Sequence, residues 1–140
     1  MILLDTNILS ELMRPLPNSN VIAWLDDQPG TDIWISAVTL SEIFLGLALL
    51  PDGKRKQALM AAASQMFEND FAKRCLPFDC EAAEVYAQIV SQRNRQGRPI
   101  SVEDAQIAAI GLTADLTLAT RNVKDFIGIE NLELINPWDS

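Results

Sequence analysis

At 140 residues with 49% apolar side chains, the chain is long enough to bury a core without staples, and residues 1–140 are expected to form a single domain. Histidine is absent, so imidazole is excluded as base or ligand, and any catalysis has to run on carboxylates, hydroxyls, amides and basic groups. A net charge of −8 argues against broad binding to a duplex backbone but leaves open a local phosphate site built around a cation. Even the most apolar stretch, residues 37–50, is interrupted by Thr39, Ser41 and Glu42, so no membrane span is expected. Asp5 arrives before any hydrophobic region that could serve as a signal peptide, and a cytoplasmic protein is expected. Cys75 and Cys80 match no zinc spacing and read as free, buried thiols.

In chain order, Ile2-Leu3-Leu4 reads as a buried strand running into a helix at Asp5-Thr6-Asn7. Pro15 and Pro17 stop that helix by about Met13. Asn18 caps a second helix through Trp24 and Leu25, closed by Pro29-Gly30. Ile33-Trp34-Ile35-Ser36 is a second strand, and residues 38–47 form a helix apolar on most faces, buried in the core or lying at an interface. After the Pro51-Asp52-Gly53 turn, residues 54–73 read as an amphipathic helix with Leu59, Ala63 and Phe67 on one side. Residues 74–78 are a brief edge strand, and Asp79 caps a helix to about Gln96. Ser101 starts a helix to about Thr113, followed by a strand over 116–120, a loop or helical turn at 123–126, and a last strand over 132–135. Strands alternating with helices predict an α/β fold with a parallel sheet covered on both faces.

Asp5, Glu42, Asp104 and Asn122, with Asp125 close behind the last, each fall where an apolar segment ends or a helix begins. Singly they read as caps: Thr39-x-x-Glu42 and Ser101-x-x-Asp104 both fit a capping box, and Asp5 suits a first helical turn. Together they read differently, because helices that follow parallel strands start at one edge of the sheet. Carboxylates gathered there repel one another, and a hard, oxygen-loving cation such as Mg²⁺ or Mn²⁺ removes that cost. Basic residues flank the same positions: Arg14, then Arg93, Arg95 and Arg98, then Arg121 and Lys124.

The motifs Leu3-Leu4-Asp5-Thr6-Asn7-Ile8, Val38-Thr39-Leu40-Ser41-Glu42-Ile43 with Gly46, Ile100-Ser101-Val102-Glu103-Asp104-Ala105, Leu118-Ala119-Thr120-Arg121-Asn122 and Asn136-Pro137-Trp138 occur in one order along the chain. This ordered set resembles PIN domains, in particular VapC/FitB-type toxins of bacterial toxin–antitoxin pairs. The resemblance implies a PIN-like α/β/α sandwich with a mostly parallel sheet of four to five short strands, and a ribonuclease dependent on Mg²⁺ or Mn²⁺. On this reading Asp5, Glu42 and Asp104 bind the metal, and Asn7 and Thr120 are polar supports. The fourth catalytic position departs from the family's frequent Asp: Asn122 brings no negative charge, and Asp125 is the residue that would compensate. The implied partners are an RNA substrate, a small cognate antitoxin that buries a peptide in the cleft, and a second copy of the chain in a homodimer.

The expected chemistry is hydrolysis by metal-activated water, with Asp104 or Glu42 helping to take the proton and no protein nucleophile. Thr6 and Ser101 read as helix-start hydroxyls, and Arg14, Arg98, Arg121 and Lys124 as residues that grip RNA phosphates. The alternative is a non-catalytic PIN-fold interaction protein with a degenerate metal site, of which Asn122 would be the sign. A phosphatase or NTPase is disfavoured, since neither an Asp-x-Asp pair after the first strand nor a Gly-Lys phosphate loop is present.

Overall fold

The computed structural model describes residues 1–139. The opening apolar run forms β1 (Ile2–Leu4), followed without a loop by α1 (Thr6–Leu12) and then by α2 (Ser19–Asp26). A 3₁₀ turn leads into β2 (Ile33–Ser36), α3 (Ala37–Ala48), α4 (Lys54–Asp70) and β3 (Cys75–Leu76). The remainder is α5 (Cys80–Arg95), α6 (Val102–Thr113), β4 (Thr117–Ala119), α7 (Val123–Phe126), β5 (Leu134–Ile135) and a terminal 3₁₀ turn, Pro137–Asp139.

The five strands form one sheet in the order β3-β2-β1-β4-β5, and every pairing is parallel. Successive strand residues point to opposite faces, and both faces are covered. Leu3 and Leu118 enter a core with Ile107, Ile110 and Phe126, packed mainly under α5 and α6. Leu4, Ile35 and Ala119 enter the other, with Ile8, Leu9, Val21 and Phe67 from α1, α2 and α4. This is the expected α/β/α sandwich. Phe126 is 1% exposed, so Phe126→Ala is expected to cost about 3–5 kcal/mol, read as a lower urea midpoint at unchanged slope.

Several expected boundaries contract. The helix over 54–73 ends at Asp70, because Phe71 turns in to the core and Arg74 Nε donates to Ile33 O at 2.9 Å, starting β3. The expected strands over 74–78, 116–120 and 132–135 are shorter, since ladder pairing covers only Cys75–Leu76, Thr117–Ala119 and Leu134–Ile135. Cys75 is half-buried, but Cys80 is exposed rather than buried, standing at the first turn of α5; both thiols are free. In α3, Val38, Ile43 and Leu47 are buried, while Leu45 and, just past the helix end, Leu49 remain 60% and 76% exposed.

The strand order decides where a site can form. From β1 the chain steps outward to β2 and β3, then crosses back over β1 to β4 and β5. The connections leaving β1 and β4 therefore diverge, opening a crevice at the carboxyl ends of these two central strands.

Candidate active site

Asp5 stands at that crevice as the N-cap of α1, its Oδ1 accepting from the Thr6 N–H at 2.8 Å. Its backbone N–H still pairs with Ala119 O at 2.9 Å, so its position is set by the sheet itself. Oδ2 accepts from Thr120 Oγ1 at 2.7 Å and from Asn7 Nδ2 at 3.2 Å. Thr120 follows β4 and is fully buried; its hydroxyl oxygen also accepts from the Asn122 N–H at 3.0 Å, and Asn7 Oδ1 accepts from the Arg121 N–H at 3.3 Å. Asn7 and Thr120 thus tie the loop after β4 to the carboxylate after β1. Burial is the main reason that the Asp5 pKa rises from 3.8 to about 6; the hydrogen bonds from Thr120 and Thr6 oppose it, and the charges of Asp104 and Glu42 add to it.

Glu42 reaches the crevice from the second turn of α3, not from its start. Ser36 is the N-cap, accepting from the Thr39 N–H at 3.0 Å, so the expected capping box at Thr39 and Glu42 does not form. The helix begins directly at the strand end, three residues earlier than that box requires. Glu42 instead accepts from Thr6 Oγ1 at 2.7 Å, and Thr39 Oγ1 lies 3.0 Å from the same Thr6 oxygen. Because Thr6 spends its single hydroxyl proton on Glu42, Thr39 is the donor to Thr6, and the two hydroxyls form a relay that orients Glu42. This role for Thr6 and Thr39 was not read from the sequence; the alternation of hydroxyls and acids around two helix starts was its only trace.

Asp104 comes from the first turn of α6, where Ser101 Oγ accepts its backbone N–H at 3.2 Å as expected for that cap. Its pKa is raised first by burial, and then by the charges of Asp125, Glu42 and Glu103, against the opposing Ser101 hydroxyl. Asp5, Glu42, Asp104 and Asn122 line one cleft of about 510 Å³ together with Arg14, Arg121 and Trp138. The Arg121 guanidinium lies over the Trp138 ring, 5.0 Å from its centroid. Arg14 is paired with Glu11 at 3.1 Å. Glu11 is itself buried, and its carboxylate pKa is lowered, first by the Asn18 N–H at 2.9 Å and then by Arg14. Asp125 lines an adjoining recess instead, on the other side of Asp104, and Arg98 and Lys124 line that recess too.

Among the described residues no three acidic side chains stand close enough to enclose a metal ion. Asp5 and Glu42 are each turned to a hydroxyl partner, which is the low-energy arrangement for like charges sharing a cleft. The donor chemistry nevertheless fits a hard divalent cation: oxygen donors only, on three separate elements, with mutual repulsion that such an ion relieves. Placement also answers the charge problem. Arg14, Arg93, Arg98, Arg121 and Lys124, five of the chain's 11 basic residues, line the cleft or the recess beside it.

The family profile of the PIN domain matches residues 2–130. Toxin FitB of Neisseria gonorrhoeae is 44% identical over 138 residues, covering 99% of this chain and 99% of that protein. The VapC ribonuclease Y4jK of Sinorhizobium fredii is 37% identical over 139 residues, again 99% of each. Among solved structures, FitAB bound to an IR36 DNA fragment superposes with a TM-score of 0.92 at 43% identity, covering 99% of this chain and 96% of that one. VapBC2 from Rickettsia felis, bound to a DNA fragment from its promoter, superposes with a TM-score of 0.82 at 26% identity over 97% and 98%. No described helix is long and apolar enough to cross a membrane.

Proposed function

Since the chain belongs to the PIN-domain family, we propose that it is the toxin of a toxin–antitoxin pair, acting as an endoribonuclease dependent on Mg²⁺ or Mn²⁺. The observation that carries this reading is the meeting of Asp5, Glu42 and Asp104 in one cleft at the carboxyl ends of β1 and β4.

Asp5 and Asp104, with Glu42 directly or through water, would hold the cation. When bound, it supplies a Lewis acid that neutralises phosphate charge and lowers the pKa of water. The remaining work belongs to the chain. Thr120, Asn7 and the Thr6 N–H fix the Asp5 carboxylate, and the Thr39–Thr6 relay fixes Glu42. Asp104, the most open of the three, is placed to take a proton from attacking water, and its raised pKa makes it the better base. Asn122, without a side-chain hydrogen bond to the helix it precedes, offers its amide to the cleft as a neutral fourth member. Arg14 and Arg121 line the entrance, where RNA phosphates would pass.

The antitoxin reading draws on a different surface. An apolar groove of about 690 Å³ between α1, α3 and α4, lined by Met13, Ile43, Leu47, Leu50 and Leu59, runs into the acid cleft through Thr6 and Glu42. A partner peptide laid there would reach the carboxylates with its end. The chain is further read as one domain over residues 1–140 that dimerises and acts in the cytoplasm.

The test is cleavage of single-stranded RNA by the full chain. Activity is expected with Mg²⁺ or Mn²⁺, none in chelator, and a fall of about a hundredfold or more in Asp104→Asn at retained thermal midpoint. Equal cutting by parent and Asp104→Asn would exclude the assignment.

A further inference from the structure

We propose that the recess on the far side of Asp104 is a phosphate subsite that grips single-stranded RNA beside the scissile bond, an inference that rests on the ribonuclease reading. The recess, about 420 Å³, is lined by Arg93, Arg98 and Lys124 together with Ser101, Asp104 and Asp125. Three cations there face two carboxylates, in a chain whose net charge is −8. Among the described residues the ion pairs are Arg14–Glu11 and Lys56–Asp52, so none of the three cations is neutralised by a carboxylate at contact distance.

Arg93 is the decisive residue. It is 4% exposed, its Nη2 donates to the Asp125 backbone carbonyl, and its Nε is buried without any partner. Bracing α7 through Asp125 explains one nitrogen and leaves the other orphaned, at a cost of about 1–3 kcal/mol. Burial and the nearby Arg98 both lower the Arg93 pKa, so the two guanidiniums oppose each other until an anion joins them. Arg98 is set against the chain turn at Gly128, with its Nη1 3.3 Å from where a Cβ would stand; φ there is +90°, so glycine serves both the turn and the guanidinium. The recess also opens at the start of α6, where Ser101 caps a 12-residue helix whose first N–H groups favour an anion.

Asp104 lines both chambers. A strand with one phosphate in the acid cleft and a neighbour in the recess would straddle this carboxylate, and the recess would fix its register. Arg98 and Lys124 are therefore separated in role from Arg14 and Arg121, which line the cleft.

The experiment measures binding of a fluorescein-labelled 12-nucleotide single-stranded RNA to the full chain in chelator, so that neither metal nor cleavage enters. Arg98 and Lys124 are exposed, which makes Arg98→Gln with Lys124→Gln a variant that keeps its fold, confirmed by an unchanged thermal midpoint. Its Kd is expected to rise about tenfold, with the salt dependence of log Kd shallower by about 1. Lys54→Gln with Lys73→Gln removes the same charge at exposed positions outside both chambers and should change Kd by less than about twofold. Equal losses in the two double variants, or no measurable binding by the parent, would overturn the proposal. So would a Glu-rich peptide binding the parent in an Arg98- and Lys124-dependent way while RNA binding is unaffected, since the recess would then serve a protein. A parent that binds RNA with this dependence yet never cuts it would sink the nuclease reading and leave the subsite standing.

Discussion

Asp5→Asn is expected to reduce RNA cleavage by roughly a thousandfold while leaving the metal-free protein at least as stable as the parent at pH 7.5. The two halves of this outcome come from one geometry. Asp5 is 4% exposed and takes three hydrogen bonds, from Thr6, Thr120 and Asn7, with Asp104 and Glu42 close enough to raise its pKa. An amide of the same shape keeps the bond from the Thr6 N–H and can be served by Thr120, whose hydroxyl rotates to accept instead of donate. What disappears is the buried negative charge, which the fold tolerates poorly and a cation requires. A steady-state cleavage assay paired with urea unfolding separates the effects. Asp5→Ala makes the contrast: it strands the Thr120 hydroxyl and the Thr6 N–H, and should lower stability by about 1–3 kcal/mol. If Asp5→Asn unfolded like Asp5→Ala, the charge would be a structural necessity and its assignment to a cation would fail.

The sequence carried more of the fold than of the site's wiring. The strands were legible because β1, β2 and β4 are buried on both faces and therefore read as unbroken apolar runs. Their ends were less so, since β3 and β5 are two-residue pairings whose limits depend on the neighbour's register rather than on their own residues. Meeting of the acids at one sheet edge followed from topology, but their partners did not. Glu42 looked like a capping-box acid because Thr39 stands three residues before it; only the direct passage from β2 into α3 hands the cap to Ser36 and frees Thr39 for Thr6. Asp125 follows Asn122 closely in sequence, yet the helical turn of α7 carries it into the recess, behind Asp104. Arg93 sits among Gln92, Asn94 and Arg95 in a stretch that reads as solvent-facing helix. Its burial comes from α7 folding over the end of α5, a contact no local pattern encodes.

Those buried charges also set a pH dependence opposite to that of most acid-stabilised proteins. A carboxyl with a pKa of about 6 in the fold and 3.8 outside it binds its proton more tightly when folded. The unfolded chain thus holds fewer protons between these values, and stability falls as pH rises through that window. From Asp5 alone the metal-free protein should lose on the order of 3 kcal/mol between pH 4 and pH 7, and Asp104, raised for the same main reason, adds in the same direction. Mg²⁺ or Mn²⁺ binds the ionised carboxylates, so millimolar divalent cation should raise the thermal midpoint at pH 7.5 and do little at pH 5. Thermal melts across pH 4.5 to 8, with chelator and with Mn²⁺, read both curves at once. In Asp5→Asn the metal-free slope should flatten and most of the cation-dependent rise should vanish. A parent that grows steadily more stable from pH 5 to 7 in chelator would mean that Asp5 is ionised at little cost, and the cation would lose the energetic reason to bind there.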